Sequence, residues 1–85
     1  MAFSRPVTCL YSKSTVARVT LANHSRIGRS TTVQHAIIAA TRRVVESHFE
    51  RGDIYNQFGL HVYSIVRGPF GSIRITYVGD TSKSL

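Results

Sequence analysis

Apolar positions along the chain change rhythm three times, and each change marks an element. Residues 7–11 are rich in Val, Leu and Tyr and read as a short strand. After Ser12-Lys13-Ser14 a second strand is expected over residues 15–22. Its alternation sets Ala17, Val19 and Leu21 against Val16, Arg18 and Thr20. Residues 23–30 then read as a polar, basic connection. From Thr31 the rhythm becomes helical, with Val33, Ile37, Ile38, Val44, Val45 and Phe49 on one broad stripe. Thr31 and Gln34 fit a capping box, and Gly52 supplies a stop after Arg51.

Residues 53–59 read as a loop, followed by strands over residues 60–67 and 72–78. Gly68-Pro69-Phe70-Gly71 forms the turn between them, with proline fixing one φ angle. If Arg67 pairs with Ser72, Val66 faces Ile73, Ser64 faces Ile75 and Val62 faces Tyr77. The reverse face then carries His61, Tyr63, Ile65, Arg67, Arg74, Thr76 and Val78. The expected fold is α+β: a small two-layer β-β-α-β-β domain, its four-stranded sheet mostly antiparallel, with one amphipathic helix on one face. A core over residues 7–78 makes a single domain, and residues 1–6 and 79–85 are expected to be flexible tails.

Charge changes this picture most. The formal net charge is +7, and no Asp or Glu precedes Glu46. Arg5, Lys13, Arg18, Arg26, Arg29, Arg42 and Arg43 stand before it, whereas from Glu46 onward four basic and four acidic residues balance. A half-chain of cations points to a polyanionic partner. Arginine outnumbers lysine nine to two, and its planar fork reads phosphate bidentately.

Two clusters could use that charge. In Arg26-Ile27-Gly28-Arg29-Ser30-Thr31-Thr32, two arginines and a run of hydroxyls precede a helix start, where unpaired amides favour anions. The stretch lacks the glycine spacing and Gly-Lys-Ser/Thr ending of a nucleotide-binding loop. The second cluster is the outer sheet face, where Tyr63, Arg67 and Arg74 with Arg18 would offer a stacking ring among guanidinium groups. The aromatic motif of the common four-stranded RNA-recognition fold is absent. A half-exposed face of this kind also suits a partner protein or a second copy of the chain.

Catalytic and metal chemistry find little support. His24, His35, His48 and His61 do not fall at zinc-ligand spacings, Cys9 has no local activating partner, and Glu46 and Glu50 suit a solvated helix face. The expectation is therefore no enzyme, no metal and no cofactor. One cysteine allows no internal disulfide. The longest apolar run, residues 36–40, falls far short of the ~20 residues of a transmembrane helix. The acid-free start matches a mitochondrial transit peptide in composition, but Pro6 and the β-branched residues of 15–20 suit strands. Cytoplasm or nucleus is the expected location, with mitochondria the lesser alternative.

In style the chain resembles small viral accessory proteins. The leading expectation is a non-enzymatic nucleic-acid-binding accessory protein, RNA favoured over DNA, contacting its ligand through Arg18, Arg26, Arg29, Tyr63, Arg67 and Arg74. The alternatives are a regulatory protein acting on a host or partner protein, and a peripheral binder of anionic membrane.

Overall fold

Strand β1 (Val7–Ser12) is the spine of the molecule, paired on both sides. The structure, a computed structural model, describes residues 6–14, 17–79 and 85. After β1 come β2 (Arg26–Ser30), helix α1 (Val33–Glu46), β3 (Arg51–Tyr55), β4 (His61–Arg67) and β5 (Ile73–Tyr77). The five strands form one sheet in the order β2-β1-β3-β4-β5, every neighbour antiparallel. The fold is α+β, with α1 across one face and one strand more than expected.

The second strand lies later in the chain than its alternation suggested. Residues 17–25 form a connection across the sheet face opposite the helix, and only Val19 of its apolar residues is buried. The Asn23 side chain accepts from the Thr20 amide at 2.7 Å and donates to the Arg18 carbonyl at 3.1 Å, closing a turn where a strand would continue. Pairing resumes when the Ser25 amide reaches the Tyr11 carbonyl at 2.7 Å. Residues 15 and 16, also assigned to that strand, and most of both expected tails lie outside the described residues.

Helix α1 starts one residue later and ends five residues earlier than expected. Thr32, not Thr31, is the N-cap and accepts from the His35 amide at 3.1 Å. Ser47 closes the C-terminus, and His48 turns left-handed at φ 58°. That reversal swings Phe49 under the helix, where its ring stacks on Tyr11 at 5.2 Å. It also brings the Glu50 amide to the Ser12 carbonyl at 2.9 Å. The chain therefore enters β3 directly, through residues expected to be helix and loop.

Ala36, Ala40 and Val44 form the buried stripe of α1, while Ile38 and Val45 are exposed. Small residues at this spacing let the helix lie close over β1, β3 and β4. Beneath it lie Val7, Cys9 and Tyr11 of β1, Ile54 of β3, and Val62 and Ile65 of β4. A smaller cluster on the opposite face joins Leu10, Tyr55 and Ile27 to Val19 of the connection. The expected turn at Gly68–Gly71 is present, but Arg67 pairs with Ile73 rather than Ser72. That one-residue shift puts Tyr63, Ile65 and Arg67 on the helix side, inverting the expected faces of β4 from Tyr63 onward, while His61 and Val62 keep theirs beside the irregularity at Ile54 and Tyr55.

Candidate nucleic-acid interface

Arg26 of β2 stands directly opposite Tyr11, so its side chain shares the helix side of the sheet. Arg42 and Arg43 project from the flank of α1 that runs beside β2. The three arginines meet in an open groove of about 390 Å³, completed by Ala39, Glu46 and Ser47. Arg26 and Arg42 are exposed. Arg43 is half-buried, its guanidinium carbon 5.5 Å from the centre of the Tyr11 ring. That cation–π contact fixes the base of the groove. Among the described residues the ion pairs join Arg51 to Asp53 and Arg67 to Glu50. Neither of them neutralises the groove arginines.

The remaining expected site residues are dispersed. Arg29 is exposed on the opposite face of β2, opposite Thr8. It does not sit at a helix start, because β2 runs as far as Ser30. Arg18 is half-buried on the connection beside Val19. Arg74 is exposed on the outer face, lining a shallow concavity of about 680 Å³ with Arg51, Ser64 and Thr76. Tyr63 lies on the helix side and packs edge-to-face on Tyr77 at 5.2 Å, away from Arg74.

Arg67 is committed to the fold. Its Nε donates to the Phe49 carbonyl at 3.1 Å and its terminal nitrogen donates to the Val44 carbonyl. The expected platform of Tyr63 and Arg67 with Arg74 and Arg18 on one outer face is therefore not formed. What sequence reasoning missed is the convergence of Arg42 and Arg43 with Arg26. In sequence, Arg42 and Arg43 lie mid-helix beside Glu46, an ordinary helical arrangement, and only the position of β2 beside α1 gives them a common target.

The outer face carries a buried polar cluster that sequence spacing did not single out. Ser64 Oγ donates to Asp53 Oδ1 at 2.8 Å. Nε2 of His61 lies 3.2 Å from that same oxygen, 3.1 Å from the Tyr63 carbonyl and 3.1 Å from Ser64 Oγ. Arg51 Nε and the Val19 amide donate to Asp53 Oδ2 at 2.9 and 2.5 Å. Burial alone would raise the Asp53 pKa, but the donors from His61, Arg51, Val19 and Ser64 outweigh it and hold the carboxyl at about 2.

This Ser-His-Asp trio does not have the geometry of a nucleophilic triad. A carboxylate and a carbonyl both call for a proton on Nε2, so that nitrogen cannot also accept one from Ser64. The cluster instead clamps the connection to the sheet, helped by the Tyr55 hydroxyl, which donates to the Val19 carbonyl at 2.5 Å. Burial pushes that hydroxyl up to about 12. Among the described residues no group of three or more His, Cys, Asp or Glu is placed to hold a metal ion. No helix among them is long and apolar enough to cross a membrane.

No known protein family, curated protein or solved structure matches this chain.

Proposed function

We propose that this protein binds nucleic acid, RNA in preference to DNA, in the groove formed by Arg26, Arg42 and Arg43. The supporting observation is the meeting of three arginines, with no ion pair to them among the described residues, between an edge strand and a helix flank. Guanidinium groups suit phosphate oxygens. The cations line an open groove between a sheet edge and the flank of a helix that packs on the sheet, which suits the phosphates of a flexible single strand better than a duplex major groove. Arg29, on the same edge strand, extends the positive track around the rim.

Fluorescence anisotropy with a short single-stranded RNA, titrated from low to moderate salt, tests this. Three phosphate contacts give a log–log salt slope of about −2 for a single strand. The R26A/R42A double variant is expected to flatten that slope and weaken binding, whereas R74A, on the other face, leaves both nearly unchanged. No binding at low salt, or an equal loss for R74A, overturns the reading. Binding to anionic vesicles but not RNA, with the same arginine dependence, assigns the groove to a lipid surface instead.

A further inference from the structure

Among the described residues the sheet ends in two edges, β2 and β5, and they are built differently. β2 carries Arg26, Gly28 and Arg29 within five residues, a charged and weakly strand-forming edge of the kind that discourages pairing. β5 reads Ile-Arg-Ile-Thr-Tyr, without proline, glycine or a bulge, and every residue after Ile73 is exposed. Helix α1 packs over β1 to β4 and leaves β5 largely uncovered. Ile75 and Tyr77 are 46% and 65% exposed on the helix side of the sheet, and Ile38 and Val45 of α1 add exposed apolar surface.

The backbone phase of this edge follows from its inner pairing. The Val78 amide donates to the Val62 carbonyl and the Gly68 amide to the Ser72 carbonyl, both at 2.8 Å. Antiparallel ladders alternate, so between these points Arg74 and Thr76 direct their backbone groups inward to β4. Ile73, Ile75 and Tyr77 direct theirs outward. The residues with outward backbone groups are therefore the same three whose apolar side chains face the helix side.

We propose that two copies of this chain pair through β5, antiparallel about a two-fold axis at Ile75. In that register Ile75 meets its own copy, and Ile73 meets Tyr77 of the second copy. Each outward N–H and C=O finds a partner, and the facing side chains are apolar. On the outer face Arg74 falls opposite Thr76, so no like charges meet directly. An axis at Arg74 would set that arginine against itself and present backbone groups already bonded to β4. The edge is thus self-complementary in hydrogen bonding, apolarity and charge. This inference stands on β5 alone and is independent of the arginine groove.

Sedimentation equilibrium of the nuclease-treated full chain in high salt, which removes RNA bridging, is the test. The expected result is a monomer–dimer equilibrium. I75P deletes an outward N–H that no other described residue uses and is expected to give monomer, with the wild-type circular dichroism spectrum. I75K is expected to act the same way by burying a charge at the axis, should the proline disturb β5. I75C is expected to form an intermolecular disulfide under mild oxidation, because the axis sets this residue beside its copy. Monomer at every concentration, a dimer unaffected by I75K, or no I75C cross-link overturns the proposal.

Discussion

The Asp53 carboxylate accepts the backbone amide of Val19 at 2.5 Å, tying a connection on one side of β1 to a strand that follows it by way of the helix. Asp53 is fully buried, yet its oxygens are satisfied by Val19, Arg51, His61 and Ser64. Its folded pKa of about 2 lies below the ordinary value of 3.8. The carboxylate therefore contributes stability that is fully present above pH 4 and lost as pH falls through 2. The lost contribution is on the order of 2 kcal/mol. Urea denaturation of wild type at a series of pH values should show this decline. D53N should lack the Asp53 part of the slope and be less stable at neutral pH by about 3 kcal/mol, because Arg51 loses its anionic partner. Limited proteolysis of D53N should cut within residues 17–25 sooner than in wild type, since those residues lose their anchor.

Tyr11 is wedged between two glycines on flanking strands. A Cβ at Gly28 would lie 3.1 Å from Tyr11 Cε2, and one at Gly52 would lie 3.2 Å from Tyr11 Cδ1. The ring cannot retreat from one without approaching the other, and Phe49 stacks against it. G28A and G52A should each cost about 1–2 kcal/mol, read as a lower urea midpoint with unchanged m-value. In a Y11L background the cost of G28A should shrink, and that coupling separates ring crowding from a general glycine effect.

Cys9 lies in the helix-side core beside Gly52, and burial pushes its thiol up to about 12. The reactive thiolate is thus scarce at neutral pH, and the sulfur is shielded in addition. Native protein at pH 8 should resist iodoacetamide and label only on unfolding. Rapid native labelling would contradict this placement of β1. The same inertness keeps Cys9 from confusing the I75C cross-link.

The elements legible in sequence are those whose local chemistry and tertiary role agree. The hydroxyl pair before Val33 marks the helix start to within a residue, and Gly68-Pro69-Phe70-Gly71 marks the hairpin turn. β2 and β3 were hidden for different reasons. Arg26-Ile27-Gly28-Arg29-Ser30 has no apolar alternation, because an edge strand held by backbone pairing needs little burial, and its glycine is dictated by a ring seventeen positions earlier. Arg51, Gly52 and Asp53 read as a helix end, its stop and the start of a loop, yet Gly52 makes room for Tyr11 and Asp53 is satisfied by partners as distant as Val19. The arginine groove was hidden by the same gap: with β2 unplaced, Arg26 could not be set beside Arg42 and Arg43. Tyr63 and Arg67 were put on the wrong face by one residue of register, since an apolar pattern on both faces of a hairpin does not fix it.

Arg67 distinguishes a charge that serves the fold from one available to a ligand. It reaches from β4 to the Val44 carbonyl in the last turn of α1 and to the Phe49 carbonyl after it, with Glu50 Oε1 4.0 Å from Nε. One planar fork thus ties β4 to the helix C-terminus, where a cation is also favoured by the helix dipole. Lysine keeps the charge but lacks the fork, so R67K should lose about 1–2 kcal/mol of stability and R67A somewhat more, since the carbonyls lose their donor altogether. Neither should alter the salt slope of RNA binding under conditions where the variants remain folded, in contrast to R26A/R42A. A flattened slope for R67K would move the interface from the β2 groove toward β4 and the concavity beside Arg74.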